Sequence, residues 1–156
     1  MADRGPQPDR NRRYLLHGKH LPIRTYMNQN LILIADDDAD VRDLLTVSLE
    51  SAGYRALGAK DGQAAARILT RAQPIGMITD VRMPAMNGME LCQLARSTPA
   101  TRDMAILMVS GNGHAYDVDA GLISGADGYL TKPLTPTTLV AELQALISRR
   151  HLGIRS

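Results

Sequence analysis

The sequence predicts an α/β domain built on a parallel sheet, and three observations carry that prediction. Beyond Leu31, short apolar runs alternate with helix-period stretches, the pattern of successive βα units. The runs LILIA (31–35), IGMIT (75–79) and AILMV (105–109) are uniformly apolar, as strands covered by helices on both faces are. The runs also end on polar residues: LILIA on Asp36 and Asp37, IGMIT on Asp80, AILMV on Ser110, and GYLT on Lys132.

Taken in order, LILIA is the first strand. A helix follows from about Ala39, capped by Asp38, with Val41, Leu44, Leu45, Val47, Ser48 and Leu49 as its apolar face and Gly53 stopping it. A second strand runs over Tyr54 to Ala59. The next helix starts near Asp61 and turns Ala64, Ala65, Ile68 and Leu69 inward. Strand three is Ile75 to Thr79, helix three Met89 to Arg96, and strand four Met104 to Val109. Helix four covers about Tyr116 to Ser124, ended by Gly125, and strand five is Gly128 to Thr131. Helix five has Thr135 as cap and Pro136 at its first position, where a missing N–H costs nothing. Leu139, Val140, Leu143, Leu146 and Ile147 form its core face.

Composition narrows the function. A chain of 156 residues holds one domain and can bury a core without disulfides or structural metal. With no Phe or Trp and five Tyr, that core is aliphatic. Cys92 is the single cysteine, which excludes an internal disulfide and a cysteine-rich metal site; it is expected as a small apolar residue on a helix. No stretch has the length of a membrane span and no signal-peptide core is present, so a cytoplasmic location without membrane contact is expected.

The net charge of +2 hides an asymmetry. Residues 1–30 carry six basic side chains against two acidic ones, whereas from Leu31 onward twelve basic residues meet fourteen acidic. This leader has three prolines and no sustained period, and is expected to be poorly ordered. It is either a basic arm for nucleic acid, an acidic partner or a membrane surface, or an extension without function, with Met27 as the natural first residue. The domain is expected over 31–150 and a short tail over 151–156, too short for a DNA-binding or catalytic output domain.

If the apolar runs are neighbouring parallel strands, their polar ends meet at one sheet edge, where open α/β folds place ligands. Asp36, Asp37 and Asp38 repel one another, and the repulsion is relieved if a cation sits between two of them while the third caps a helix. A hard, oxygen-liganded ion fits, magnesium first and manganese as the alternative. An EF-hand reading fails because Val41 stands where its glycine belongs and Val47 where its bidentate glutamate belongs. A solvated acidic loop is the simpler alternative. Asp80, before VRMPAMNG, sits where a carboxylate can attack phosphorus beside a cation, or where a turn aspartate bonds the next amides. A transferred phosphoryl group needs a hydroxyl or amide donor and a point cation besides the metal; Ser110 in SGNGH and Lys132 before Pro133 supply them.

The motifs IADDD, ITDVRMPAMNGMEL, MVSGNG and GADGYLTKPL together resemble the receiver domain of two-component response regulators over about Leu31 to Arg149. The resemblance implies a flavodoxin-like, doubly wound sheet of five parallel strands, order 2-1-3-4-5, flanked by five helices. It implies Asp80 as phosphoacceptor, Asp37 as direct magnesium ligand, Asp36 as a ligand through water or in the same shell, and the Arg82 main-chain carbonyl as a further ligand. Ser110 is implied as the hydroxyl that swings toward the phosphoryl group, Lys132 as its cation and Tyr129 as the aromatic switch. Arg82 and Asn112 fall where the family tunes phosphoryl lifetime. The implied donor is a sensor histidine kinase or a histidine phosphotransfer protein. The implied output is a partner bound on the face of helix four, strand five and helix five, without a DNA-binding domain.

The expected protein is therefore a stand-alone receiver, a phosphorylation-gated binding module and not an enzyme. A competing enzyme reading, a haloacid-dehalogenase-type phosphatase, uses the same order of Asp, Ser and Lys. It lacks its downstream acidic pair, since only Glu142 follows Lys132.

Overall fold

Five parallel strands form the domain sheet: β3 (Leu31–Ala35), β4 (Arg55–Ala59), β5 (Gly76–Asp80), β6 (Ala105–Ser110) and β7 (Gly128–Thr131). They lie in the spatial order β4-β3-β5-β6-β7, which is 2-1-3-4-5 counted within the sheet. Between and after them run α1 (Ala39–Ser51), α2 (Gly62–Ala72), α3 (Gly88–Ser97), α4 (Ala115–Ile123) and α5 (Pro136–His151). The computed structural model describes residues 13–16, 19–22, 30–111 and 115–151.

Register sets which strand ends meet. Ile34 lies opposite Gly58 on one side and Ile78 on the other, Asp80 opposite Val109, and Ser110 opposite Thr131. Alternate strand residues feed two cores. Leu33, Met77, Ile106 and Met108 pack under α2 and α3 with Ala65, Leu69, Leu91 and Cys92. Ile32, Ile34, Ile78 and Leu107 pack under α1 and α5 with Leu45, Leu49, Leu143 and Leu146. Burial on both faces is why the central runs carry no polar alternation.

The caps follow the sequence. Asp38 accepts from the amides of Asp40 and Val41, Asp61 from Ala64, and Asn87 from Glu90, each meeting an N–H that the helix leaves open. Thr135 Oγ1 accepts from the Thr138 amide at the start of α5. The face predicted for α1 is narrower than its apolar residues suggest: Leu45 and Leu49 are buried, but Leu44 is 55% and Val47 62% exposed. Only the i, i+4 stripe of this helix meets the sheet, and Leu44 and Val47 fall beside it.

Two short segments of the leader, expected to be poorly ordered, fall among the described residues. Arg13–Leu16 (β1) and Lys19–Pro22 (β2) pair antiparallel, with Arg13 opposite Pro22 and Leu16 opposite Lys19. Strands of four residues are too short for an alternating pattern to stand out in sequence. The rest of the leader before Asn30, and residues 152–156, lie outside the described residues. Among those described, no helix is long and apolar enough to cross a membrane.

Candidate functional site

The C-terminal ends of β3, β5, β6 and β7 carry the four predicted chemistries to one edge of the sheet. Asp36 and Asp37 follow β3, Asp80 is the last residue of β5, Ser110 the last of β6, and Lys132 follows β7. One carboxylate oxygen from each of Asp36, Asp37 and Asp80 lies within 4.8 Å of the others. Lys132 Nζ is 3.2 Å from Asp80 Oδ2 and 3.5 Å from Asp36 Oδ2. Three carboxylates against one ammonium leave an excess negative charge that a hard divalent cation would neutralise, so the donor set fits magnesium.

Each residue is held by its own local structure. Asp36 is buried; its amide donates to Ala59 O at 3.1 Å and its Oδ1 accepts from the Asp38 amide at 2.9 Å. Burial pushes its carboxyl above the ordinary carboxylate value, against the Asp38 N–H and the Lys132 charge, which favour the anion; Asp80 nearby adds to the rise. Lys132 is pulled down by partial burial, but Asp36 and Asp80 together outweigh that and hold its ammonium above the usual lysine value. Its amide donates to Ser110 O at 2.7 Å, and its bond to Pro133 is cis. Asp80 Oδ1 accepts a long hydrogen bond, 3.4 Å, from the Arg82 amide.

The chain after Asp80 folds back tightly. The Gly88 amide donates to Val81 O at 2.8 Å, and a Cβ on Gly88 would fall 2.2 Å from Asp80 O, so only glycine lets the loop return this close. Ser110 is buried at the head of the sheet and Asp37 is exposed. Arg82 is exposed and Tyr129 half-buried, its ring against Gly121 of α4 and the sheet; a Cβ on Gly121 would fall 2.8 Å from Tyr129 Cδ2. Asn112 lies outside the described residues. Beside the carboxylates an apolar cleft of about 280 Å³ opens between α1 and the β7–α5 loop, walled by Val41, Leu44, Leu45 and Leu134.

Two features escaped the sequence reading. Arg42 of α1 donates from Nη1 to Asp36 O at 2.7 Å. At the opposite end of β6, Asp127 accepts from Arg96, Arg150 and the Ile106 amide, while Arg96 also donates to Gly125 O and Arg102 O. An arginine on a helix ordinarily serves a solvated face, so neither carries a local signal. Cys92 is buried as expected, its thiol pushed up to about 11 by burial.

The model of the family described as "Response regulator receiver domain" matches residues 32–144. The chain is 37% identical over 122 residues to the phosphate regulon transcriptional regulatory protein PhoB of Pseudomonas aeruginosa, covering 78% of this chain and 53% of that protein. It is 39% identical over 118 residues to the response regulator MprA of Mycobacterium leprae, covering 76% and 51%. The chain thus spans about half the length of the curated relatives it matches. Among solved structures, the chemotaxis response regulator CheY4 of Vibrio cholerae superposes with a TM-score of 0.72 at 31% identity, over 76% of this chain and 98% of CheY4. A CheY-like receiver domain protein of Methanospirillum hungatei gives 0.75 at 26% identity, over 80% and 98%.

Proposed function

Because this chain belongs to the response regulator receiver domain family, we propose that Asp80 accepts a phosphoryl group and that the domain passes on that event by changing a partner-binding surface. Receiver domains take part in two-component signalling with histidine kinases or phosphotransfer proteins and bind magnesium at an acidic cluster. The observation that carries the reading to these residues is the grouping of Asp36, Asp37 and Asp80 within 4.8 Å, with Lys132 Nζ at 3.2 Å from Asp80.

In the proposed step an Asp80 carboxylate oxygen attacks phosphorus of a phosphohistidine. The new O–P bond gives an acyl phosphate as the P–N bond breaks, and its electron pair returns to the imidazole ring of the donor. Bound magnesium, held by Asp37, Asp80, the Arg82 carbonyl and Asp36, would screen the approach of two anions and share the phosphoryl charge. Lys132 is placed to shift from its carboxylate partners to a phosphoryl oxygen, and the Ser110 hydroxyl supplies a second donor. With Ser110 drawn toward that group, Tyr129 turns inward and the face of α4, β7 and α5 gains population in its partner-binding form.

The single-domain reading, a module without an output domain, is part of this proposal: CheY4 is matched over 98% of its length, whereas PhoB and MprA are about twice as long as the region they share with this chain. An antibody to the domain detecting a band near 17 kDa in its cell of origin supports it, and a band twice that size rejects it. For the phosphoacceptor, incubation with acetyl phosphate and magnesium followed by intact mass should add one phosphate, which Asp80→Ala abolishes. No adduct on the unaltered chain rejects the assignment. Phosphatase turnover of phosphomonoesters would instead favour the hydrolase reading.

A further inference from the structure

We propose that Arg42 is a positioning residue of the acidic site: it locks the Asp36–Asp37 peptide and so aims the Asp37 carboxylate. The proposal rests on the reading of Asp36, Asp37 and Asp80 as a magnesium site and concerns a residue outside it.

Asp36 is tied at every polar atom. Its amide donates to Ala59 O of β4, Oδ1 accepts from the Asp38 amide, Oδ2 from Lys132 Nζ, and its carbonyl accepts from Arg42 Nη1 at 2.7 Å. The Asp36 carbonyl shares a rigid plane with the Asp37 nitrogen and Cα, so whatever holds that oxygen also sets where the next residue departs. Asp37 needs this. It is exposed, and its carboxylate has no hydrogen-bond partner among the described residues, so only its backbone keeps it in the cluster.

The route of the arginine is built in as well. Arg42 lies in the first turn of α1, its amide donating to Asp38 O at 3.0 Å, and its side chain runs back over β4. There the strand has Gly58, where a Cβ would already touch Arg42 Cδ at 3.4 Å. Any longer side chain would occupy the path of the arginine stem. A helix, a glycine on the sheet edge and a strand-end carbonyl thus combine in one strut.

A rival role predicts the opposite sign. If Arg42 acted only as a cation beside the carboxylates, it would repel a metal ion, and its removal would tighten magnesium binding. If it positions Asp37, its removal loosens binding, on the order of tenfold as for other groups that orient metal ligands.

The test is calorimetric titration of magnesium into the full chain, with melting in EDTA as the control for folding. Arg42→Met should weaken magnesium binding about tenfold, and Arg42→Lys should recover part of the loss, since an ammonium can still reach a carbonyl. Gly58→Leu, which keeps the arginine but blocks its path, should weaken binding in the same direction, and it decides the matter if Arg42→Met fails to fold. Unchanged or tighter binding in Arg42→Met, or unaltered binding in Gly58→Leu, overturns the proposal. Absence of magnesium binding by the unaltered chain would overturn instead the metal-site reading beneath it.

Discussion

The ammonium of Lys132 stands 3.2 Å from the Asp80 carboxylate although their strands are not neighbours: β6 lies between β5 and β7, and the lysine reaches across its end. The same ammonium is 3.5 Å from Asp36 on the far side of Asp80. One cation therefore balances carboxylates from two strands at a distance where ligand-free repulsion would otherwise open the loops.

Replacing it makes that balance visible. Lys132→Met should cost about 0.5–1 kcal/mol in EDTA, a modest figure because the side chain is 35% exposed and partly screened. Magnesium should then raise the melting temperature of the variant more than that of the unaltered chain, since three uncompensated carboxylates gain more from a cation. Phosphorylation by acetyl phosphate should fall at least tenfold. An equal magnesium shift in both proteins would mean that the lysine does not offset the cluster.

The buried charge of Asp36 gives a pH dependence with a definite sign. Its folded-state pKa is raised above the ordinary 3.8, so the folded chain binds the proton more readily than the unfolded chain. The charged form therefore costs stability above the folded pKa, and the cost is relieved as pH falls through it toward 3.8. Without magnesium, Asp36→Asn should be more stable than the unaltered chain at pH 7, the gain shrinking as pH falls through the raised folded value toward 3.8. Urea unfolding in EDTA at pH 7 and pH 5 measures it; a gain that grows on acidification would refute the assignment. The raised pKa of Lys132 works on the other flank: its contribution is complete below the unfolded value of 10.5 and is lost as pH rises through the higher folded value.

The arginine pair around Asp127 is a structural clamp. Asp127 is 5% exposed at its side chain, and Arg96 ties it to Gly125 O and Arg102 O besides. Arg96→Met leaves the Gly125 and Arg102 carbonyls without that donor and leaves Asp127 Oδ2 only the Ile106 amide, and should cost about 2–4 kcal/mol; Arg150→Met strips Asp127 Oδ1 of its guanidinium but touches no other acceptor, and should cost less. Arg96→Lys should recover little, as an ammonium lacks the planar fork that serves several acceptors at once. Urea midpoints rank the three variants, and equal losses for Arg96→Met and Arg150→Met would count against the clamp.

Arg82 tests control of phosphoryl lifetime. Its side chain is exposed two residues after Asp80, where a long cationic group can lie over the acyl phosphate and restrain the attacking water. Arg82→Asn should lose label from Asp80 several-fold faster, followed by intact mass over time. Unchanged or slower decay would show that the arginine is merely solvated.

Much of this molecule is legible along the chain. The apolar runs, the caps Asp38 and Thr135, and the polar residues at the strand ends are local signals: periodicity, a side-chain oxygen before a helix, an abrupt change from apolar to charged. They point to the strands and to the residues gathered at their ends; the strand order follows only from the family resemblance. The α1 face was overestimated because Leu44 and Val47 look like core residues in sequence, and only the packing angle of that helix leaves them exposed. The short pairing of β1 with β2 gave no periodic signal at all.

By itself, then, the sequence determined the strands, their polar ends and the chemistry those ends could support, since each depends on neighbours a few residues apart. Tertiary structure alone decided that Lys132 meets Asp80, 52 residues away, and Asp36, 96 residues away. It likewise decided that Arg42 seizes the Asp36 carbonyl and that Arg96 and Arg150 converge on Asp127. A long, flexible cationic side chain has no periodicity to betray its target. Strand register and helix packing bring one acceptor within reach, and the cost of leaving a buried carboxylate or carbonyl unpaired selects it.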